Sequence, residues 1–284
     1  MEFITVGHSV RIACETFGIE SDSPVLLVAG SGEPAGFWPE SFCRALAAKS
    51  HFVIRYSHRD TGRSEHFETK YPIDVLLEDM LGIMDHYDAK CVHIVGHTMG
   101  AFMSEIAMCR WPWRFVSVTA ISAGPTPSTQ LREKLGLGNA SEATWRKILA
   151  LRNTSDVEKS RTDLMEIFRF LNGSRRFDEA FANAYFEDLH SGDNRNFRTM
   201  EKHLYAHTTI SETLPDELRK SHCPFLAIHG TEDPVIPVDN AKAFLRIVPL
   251  AKVHLLQGAG QMFFDPSLWN EILEVLGAYF KSCY

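Results

Sequence analysis

Val92-His93-Ile94-Val95-Gly96-His97-Thr98-Met99-Gly100-Ala101 runs straight into the apolar stretch Phe102 to Met108. A β-type run that ends in Gly-x-Thr-x-Gly and passes unbroken into a helical one reads as a sharp strand-turn-helix elbow, with glycines where side chains would collide. Thr98 sits at its tip.

The same rhythm continues on both sides of the elbow. Upstream, residues 2 to 17 alternate apolar and polar around Gly7-His8-Ser9, which predicts an antiparallel hairpin. Pro24 to Gly30 and Phe52 to Tyr56 are continuous apolar runs of the kind buried on both faces of a sheet. Between and after them, helices are predicted over 40 to 49 and over 73 to 87, the second from the helical spacing of Val75, Leu76, Met80, Ile83, Met84 and Tyr87. Downstream comes a further strand, 115 to 122. Strand and helix in alternation imply parallel strands joined by crossovers.

At Gly124-Pro125-Thr126-Pro127 the rhythm breaks. From there to about Leu214 the buried strands give way to amphipathic stretches, Thr144 to Leu151, Arg161 to Leu171, Asp178 to His190 and Phe197 to His207. They predict a helical insertion between two strands. The core resumes with strands 224 to 230 and 251 to 256 and helices 238 to 247 and 267 to 280.

Composition narrows the function classes. With 45% hydrophobic and 23% charged residues, the 284-residue chain is an ordinary globular one, so long disorder is not expected. A net charge of -7, with Lys and Arg scattered, argues against a nucleic-acid partner. No apolar run approaches a membrane span, and the N-terminus lacks the pattern of a secretory leader. The six cysteines show no Cys-x-x-Cys and no metal-ligand spacing, which fits a reduced, cytoplasmic protein with no metal and no cofactor.

Several motifs together carry a family likeness: Leu26-Leu27-Val28-Ala29-Gly30, Ile54-Arg55-Tyr56-Ser57-His58-Arg59-Asp60-Thr61-Gly62-Arg63-Ser64, the elbow, Tyr205-Ala206-His207, Gly230-Thr231-Glu232-Asp233-Pro234-Val235-Ile236-Pro237 and Gly258-Ala259-Gly260-Gln261-Met262. The chain resembles the α/β-hydrolase superfamily over nearly its full length, and within it the branch containing the aclacinomycin methylesterases. The resemblance implies an α/β-hydrolase fold, a mostly parallel eight-stranded sheet with an inserted helical lid. The core would comprise 1-124 and 215-284, and the lid 125-214. It also implies a triad in the order nucleophile, acid, base, with Thr98 at the elbow, Asp233 after the strand that follows the lid, and Gln261 where the base belongs. The oxyanion hole would be built from the backbone N-H groups of Ser31 and Met99.

Two of these three positions depart from the Ser-His-Asp pattern. An amide cannot collect a proton near neutral pH, so Gln261 removes the base of the acyl-enzyme route. Disabling one triad member costs on the order of 10⁴-fold or more in turnover. Thr98 adds strain, because the elbow residue is expected at positive φ, where a β-branched side chain fits poorly. Hydrogen bonding to a ligand is therefore expected of its hydroxyl rather than attack.

A replacement base must come from elsewhere. His58, at the C-terminal edge of a strand, is a pocket candidate whose plainer role is structural; Glu33, in the loop framing the oxyanion hole, is read as a solvated acid, and His97 as a packed core residue. His203 and His207 are four apart on one helix, a metal-pair spacing without a third ligand; one is expected to face the cleft and one solvent. Trp38, His207 and Met262 are further pocket candidates. Phe168, Phe181, Tyr185, Phe186, Phe263 and Phe264 could line an apolar pocket with Trp38, although most are read as ordinary packing.

The leading expectation is an enzyme of this fold that acts non-hydrolytically, as a lyase, isomerase or cyclase, on an apolar, polyketide-like small molecule of secondary metabolism. The competing one is a catalytically inactive binder of a small molecule or protein. A third is an esterase whose triad was altered. Oligomeric state is left open, a homodimer included.

Overall fold

A computed structural model describes residues 1-7, 9-150, 157-190 and 196-283. His8, in the predicted hairpin turn, and Leu151, at the end of a predicted helix, lie outside the described residues.

β1 (Glu2–Val6) and β2 (Val10–Phe17) form the opening hairpin, with Ile4 opposite Ile12, both buried. β3 (Ser23–Val28), α1 (Glu40–Ala47), β4 (His51–Tyr56), α2 (Ile73–His86), β5 (Val92–His97), α3 (Met99–Arg110) and β6 (Phe115–Ile121) follow. Six helices come next: α4 (Thr129–Lys134), α5 (Glu142–Ala150), α6 (Val157–Leu171), α7 (Glu179–His190), α8 (Asn196–Thr208) and α9 (Leu214–Leu218). The chain then returns to β7 (Phe225–Gly230), α10 (Asp239–Ile247), β8 (Ala251–Leu256) and α11 (Pro266–Lys281).

The eight strands form one sheet in the order β1-β2-β4-β3-β5-β6-β7-β8. Pairing is antiparallel at the hairpin and between β2 and β4, and parallel from β4 onward. Alternate residues of a central strand feed opposite faces. Leu26, Ile54 and Ile94 join one apolar layer with α2 and α3, whereas Val25, Leu27, Val53 and Val95 join the other with α1 and α11. Both faces are covered, which is why these strands read as unbroken apolar runs.

The elbow sits where β5 hands over to α3. A Cβ on Gly96 would stand 2.2 Å from the Gly100 carbonyl oxygen, and one on Gly100 would stand 2.2 Å from that of Val28. Both glycines are thus demanded by backbone packing, and they let α3 start directly behind the sheet edge. α4 and α9, two short helices, are elements that periodicity could not pick out because neither completes two turns.

Candidate active site

Thr98 has φ 45° and ψ -106°, so the strained tip is present and filled by a β-branched residue. Its backbone is fixed on both sides, with N-H donating to Ile121 O (3.0 Å) and C=O accepting from Ala101 and Phe102 N-H (3.0 and 3.1 Å). The side chain reaches over Gly30, where an added Cβ would meet Oγ1 at 2.2 Å. Thr98, Ser31, Gln261, Met262 and His207 all border a cavity of about 580 Å³ roofed by α4, α5 and α8.

The turn at 30-33 organises the donors. Glu33 N-H bonds to Gly30 O (3.2 Å), Gly30 N-H to Glu33 Oε2 (2.5 Å) and Gly32 N-H to His203 Nδ1 (2.9 Å). That leaves Ser31 N-H, together with Met99 N-H at the start of α3, without an acceptor among the described residues. Two unspent backbone donors flanking a hydroxyl are what an oxyanion requires.

Asp233 is buried after β7. Its Oδ1 accepts from Val235 N-H (2.8 Å) and Ile236 N-H (2.9 Å), and Oδ2 lies 3.3 Å from His229 Nε2. With its amide oriented to satisfy both groups, Gln261 Nε2 donates to Asp233 Oδ2 at 2.5 Å and Oδ1 at 2.8 Å. The loop carrying Gln261 is anchored to the end of α6, through Gly260 N-H to Asn172 O (3.1 Å) and Met262 N-H to Leu171 O (3.0 Å).

His97 is the packed core residue expected, but Glu33 is its buried partner rather than a solvated acid. Glu33 is 8% exposed, and its Oε2 lies 3.0 Å from His97 Nδ1. His97 Nε2 donates to the backbone oxygen of Gln261 (2.9 Å), and the ring stacks on Phe37. Both ring nitrogens therefore face oxygen atoms, which ties the elbow strand to the oxyanion turn on one side and to the Gln261 loop on the other.

Ser31 also offers its side chain. Its Oγ is 3.0 Å from His207 Nε2. Burial, with Arg132 adding to it, pulls the His207 pKa down to about 4, so the imidazole is neutral at physiological pH. His203 does not face solvent as its spacing suggested: it is wholly buried, accepting from Gly32 N-H and donating through Nε2 to Arg59 O (3.3 Å), which fixes its tautomer. Among the described residues no group of metal-ligating side chains is gathered.

Two pocket candidates lie elsewhere. His58 is buried with Nε2 donating to Ala29 O (2.9 Å), behind the turn rather than on the cavity wall. Trp38 is fully buried, edge-on to Phe37 and Trp269 within the apolar layer. None of the other aromatics proposed for the lining borders the cavity; Phe102 and Trp145 do. The Ser31 side chain and the Glu33 pairing escaped sequence reasoning, because both depend on how α8 and β5 close over one loop. A carboxylate flanked by Gly32 and Pro34 in an apolar neighbourhood was the only hint.

An elbow hydroxyl between two free backbone donors, with a carboxylate beyond the seventh strand, defines a site of the α/β-hydrolase type. The chain belongs to the alpha/beta hydrolase fold family, which matches residues 23-267. It is 28% identical over 278 residues to a rhodomycin D methylesterase of Streptomyces sp. strain C5, covering 88% of this chain and 89% of that one. A rhodomycin D methylesterase of Streptomyces peucetius is 28% identical over 266 residues, with the same coverage. Among solved structures, an esterase from Exiguobacterium antarcticum superposes with a TM-score of 0.81 at 18% identity, covering 98% of each chain. A meta-cleavage product hydrolase from Pseudomonas fluorescens IP01 does so at 0.78 and 20%, covering 100% of this chain and 98% of that one. These two likenesses are of fold alone.

Proposed function

We propose that the protein is an α/β-hydrolase-fold enzyme that works without an acyl-enzyme, as a lyase, isomerase or cyclase acting on an apolar, polyketide-like carbonyl compound. The observation that carries this reading is the Gln261-Asp233 contact: the amide spends its N-H donors on the carboxylate. Its remaining polar atom is a carbonyl oxygen of no useful basicity. Nothing at that position can deprotonate Thr98, and Thr98 serves to orient substrate.

Proton transfer falls instead to Ser31 and His207. In the tautomer with its proton on Nδ1, His207 Nε2 accepts from Ser31 Oγ. As a C-H bond beside the substrate carbonyl breaks, its proton passes to Ser31 Oγ and the hydroxyl proton to His207. The electron pair becomes an enolate, whose oxygen takes the N-H groups of Ser31 and Met99. A mostly apolar cavity with a few converging polar groups suits a polyketide-like substrate. The same kind of compound is named in the methylesterase relatives. A cytoplasmic setting is supported by the free state of all six cysteines.

The experiment is turnover of methyl and 4-nitrophenyl aryl esters by the protein and by the Thr98→Ser/Gln261→His double variant. Hydrolysis is expected only in the variant. Comparable hydrolysis by the unaltered protein would overturn the reading.

A further inference from the structure

Arg132, on α4, is 6% exposed and borders the same cavity as Thr98, Gln261 and His207. Its Nε donates to Thr126 O (2.9 Å), which fixes the plane of the guanidinium. Nη1 and Nη2 have no hydrogen-bond acceptor among the described residues, yet neither is sealed from solvent, so they open onto the cavity.

A buried cation normally has a carboxylate against it, because taking an unpaired charge out of water is costly. Among the described residues no carboxylate lies within ion-pairing distance of Arg132. The acids whose fields reach it are engaged elsewhere or are disfavoured as anions by burial. Asp233 is held by Gln261 and two backbone N-H groups, and Asp239 accepts from Gly138 N-H at 2.7 Å. Glu105 is fully buried, its oxygens are without partners among the described residues, and burial pushes its pKa well above the carboxylate range, which disfavours its charged form. On the cavity wall itself, Glu33 is taken by His97 and Glu212 is exposed at the rim. Burial lowers the Arg132 pKa to about 10, which leaves it a full cation at neutral pH.

We propose that Arg132 is the binding group for an anionic substituent of the substrate, a carboxylate, gripped through Nη1 and Nη2 while Thr126 holds the fork in place. This rests on the cavity being the substrate site. A planar guanidinium with two unspent donors matches a carboxylate in a way that a neutral ester or amide, with one strong acceptor, does not. The substrate would then be an acid, or an ester bearing a second, free carboxylate, rather than a wholly neutral polyketide.

Calorimetric titration with 2-naphthoate and with 2-naphthamide, which share shape and differ in charge, tests this on the unaltered protein. We expect the carboxylate to bind at least about tenfold tighter than the amide, the scale of one charge-assisted hydrogen bond gained. In Arg132→Gln the preference should vanish, and in Arg132→Lys it should survive in part. Equal affinity for the two probes, no binding of 2-naphthoate, or a preference that persists in Arg132→Gln would each overturn the proposal, and the first two need no variant. Methyl 2-naphthoate run alongside separates the two ideas: its hydrolysis by the unaltered protein would end the non-hydrolytic reading and leave the Arg132 comparison intact.

Discussion

The side-chain amide of Gln261 donates to both carboxylate oxygens of Asp233, at 2.5 and 2.8 Å, in the place where an imidazole N-H would meet the acid of a Ser-His-Asp site. Asp233 thus has an orienting contact from an amide, a group that cannot take up a proton near neutral pH. Gln261→Glu sets two carboxylates against each other, and they must share a proton to coexist. Chemical denaturation should show the variant about 1-3 kcal/mol less stable at pH 8, with much of that loss recovered near pH 5. A loss equal at both values would mean that the two side chains do not touch.

Glu33 joins the oxyanion turn to the elbow through His97. Glu33→Gln removes the acceptor of a buried imidazole N-H and weakens the clamp on Gly30 N-H. Breaking one side of a buried pair of this kind costs about 3 kcal/mol. The variant's denaturation midpoint should drop accordingly at pH 7, whereas Glu20→Gln, at an exposed position, should leave it unmoved.

Thr98 holds a backbone conformation that a β-branched residue adopts at a cost of about 1-3 kcal/mol. Thr98→Gly should therefore raise the melting temperature although it removes side-chain contacts. A fall would show that the hydroxyl and methyl groups contribute more by packing than the backbone loses by strain.

Buried titratable groups set the dependence of stability on pH. His58, His93 and His207 are each pulled down to about 4 by burial. Below pH 6.5 the unfolded chain binds protons that these rings refuse, so stability falls as pH drops from 6.5 towards 4, by about 1.4 kcal/mol per unit for each ring. Glu105 acts in the opposite direction: its raised pKa keeps it protonated in the fold, so above the ordinary carboxylate range stability is lost as pH rises. Glu105→Gln should flatten the fall in stability as pH rises above the ordinary carboxylate range. An unchanged slope there would place the ionised acid in the folded protein.

Much of the fold was legible because its signals are local. The runs at Ala251–Leu256 and Val92–His97 fell where expected, and the helix from Met99 was set by the two glycines around the elbow. The family resemblance pointed to Thr98, Asp233 and Gln261; Thr98 and Gln261 border one cavity, and Gln261 meets Asp233. What could not be read was pairing across the fold: that His207 on α8 would meet Ser31, that Glu33 would turn inward onto His97, or that Arg132 would be buried without an acid. Each depends on contacts between residues from 64 to more than 170 positions apart, or on the absence of one. Trp38 and His58 went astray for a related reason, because the sheet edge that offers some side chains to the cavity turns others into the layer behind it.

The central claim is that Thr98 is not a nucleophile. Intact mass after treatment with a fluorophosphonate, on this protein and on the Thr98→Ser/Gln261→His double variant, addresses it most directly. No mass increase is expected for the protein, and a single adduct at the elbow position is expected for the variant. An adduct on Thr98 of the unaltered protein would contradict the claim, since the hydroxyl would then have found a base that the Gln261 amide cannot be.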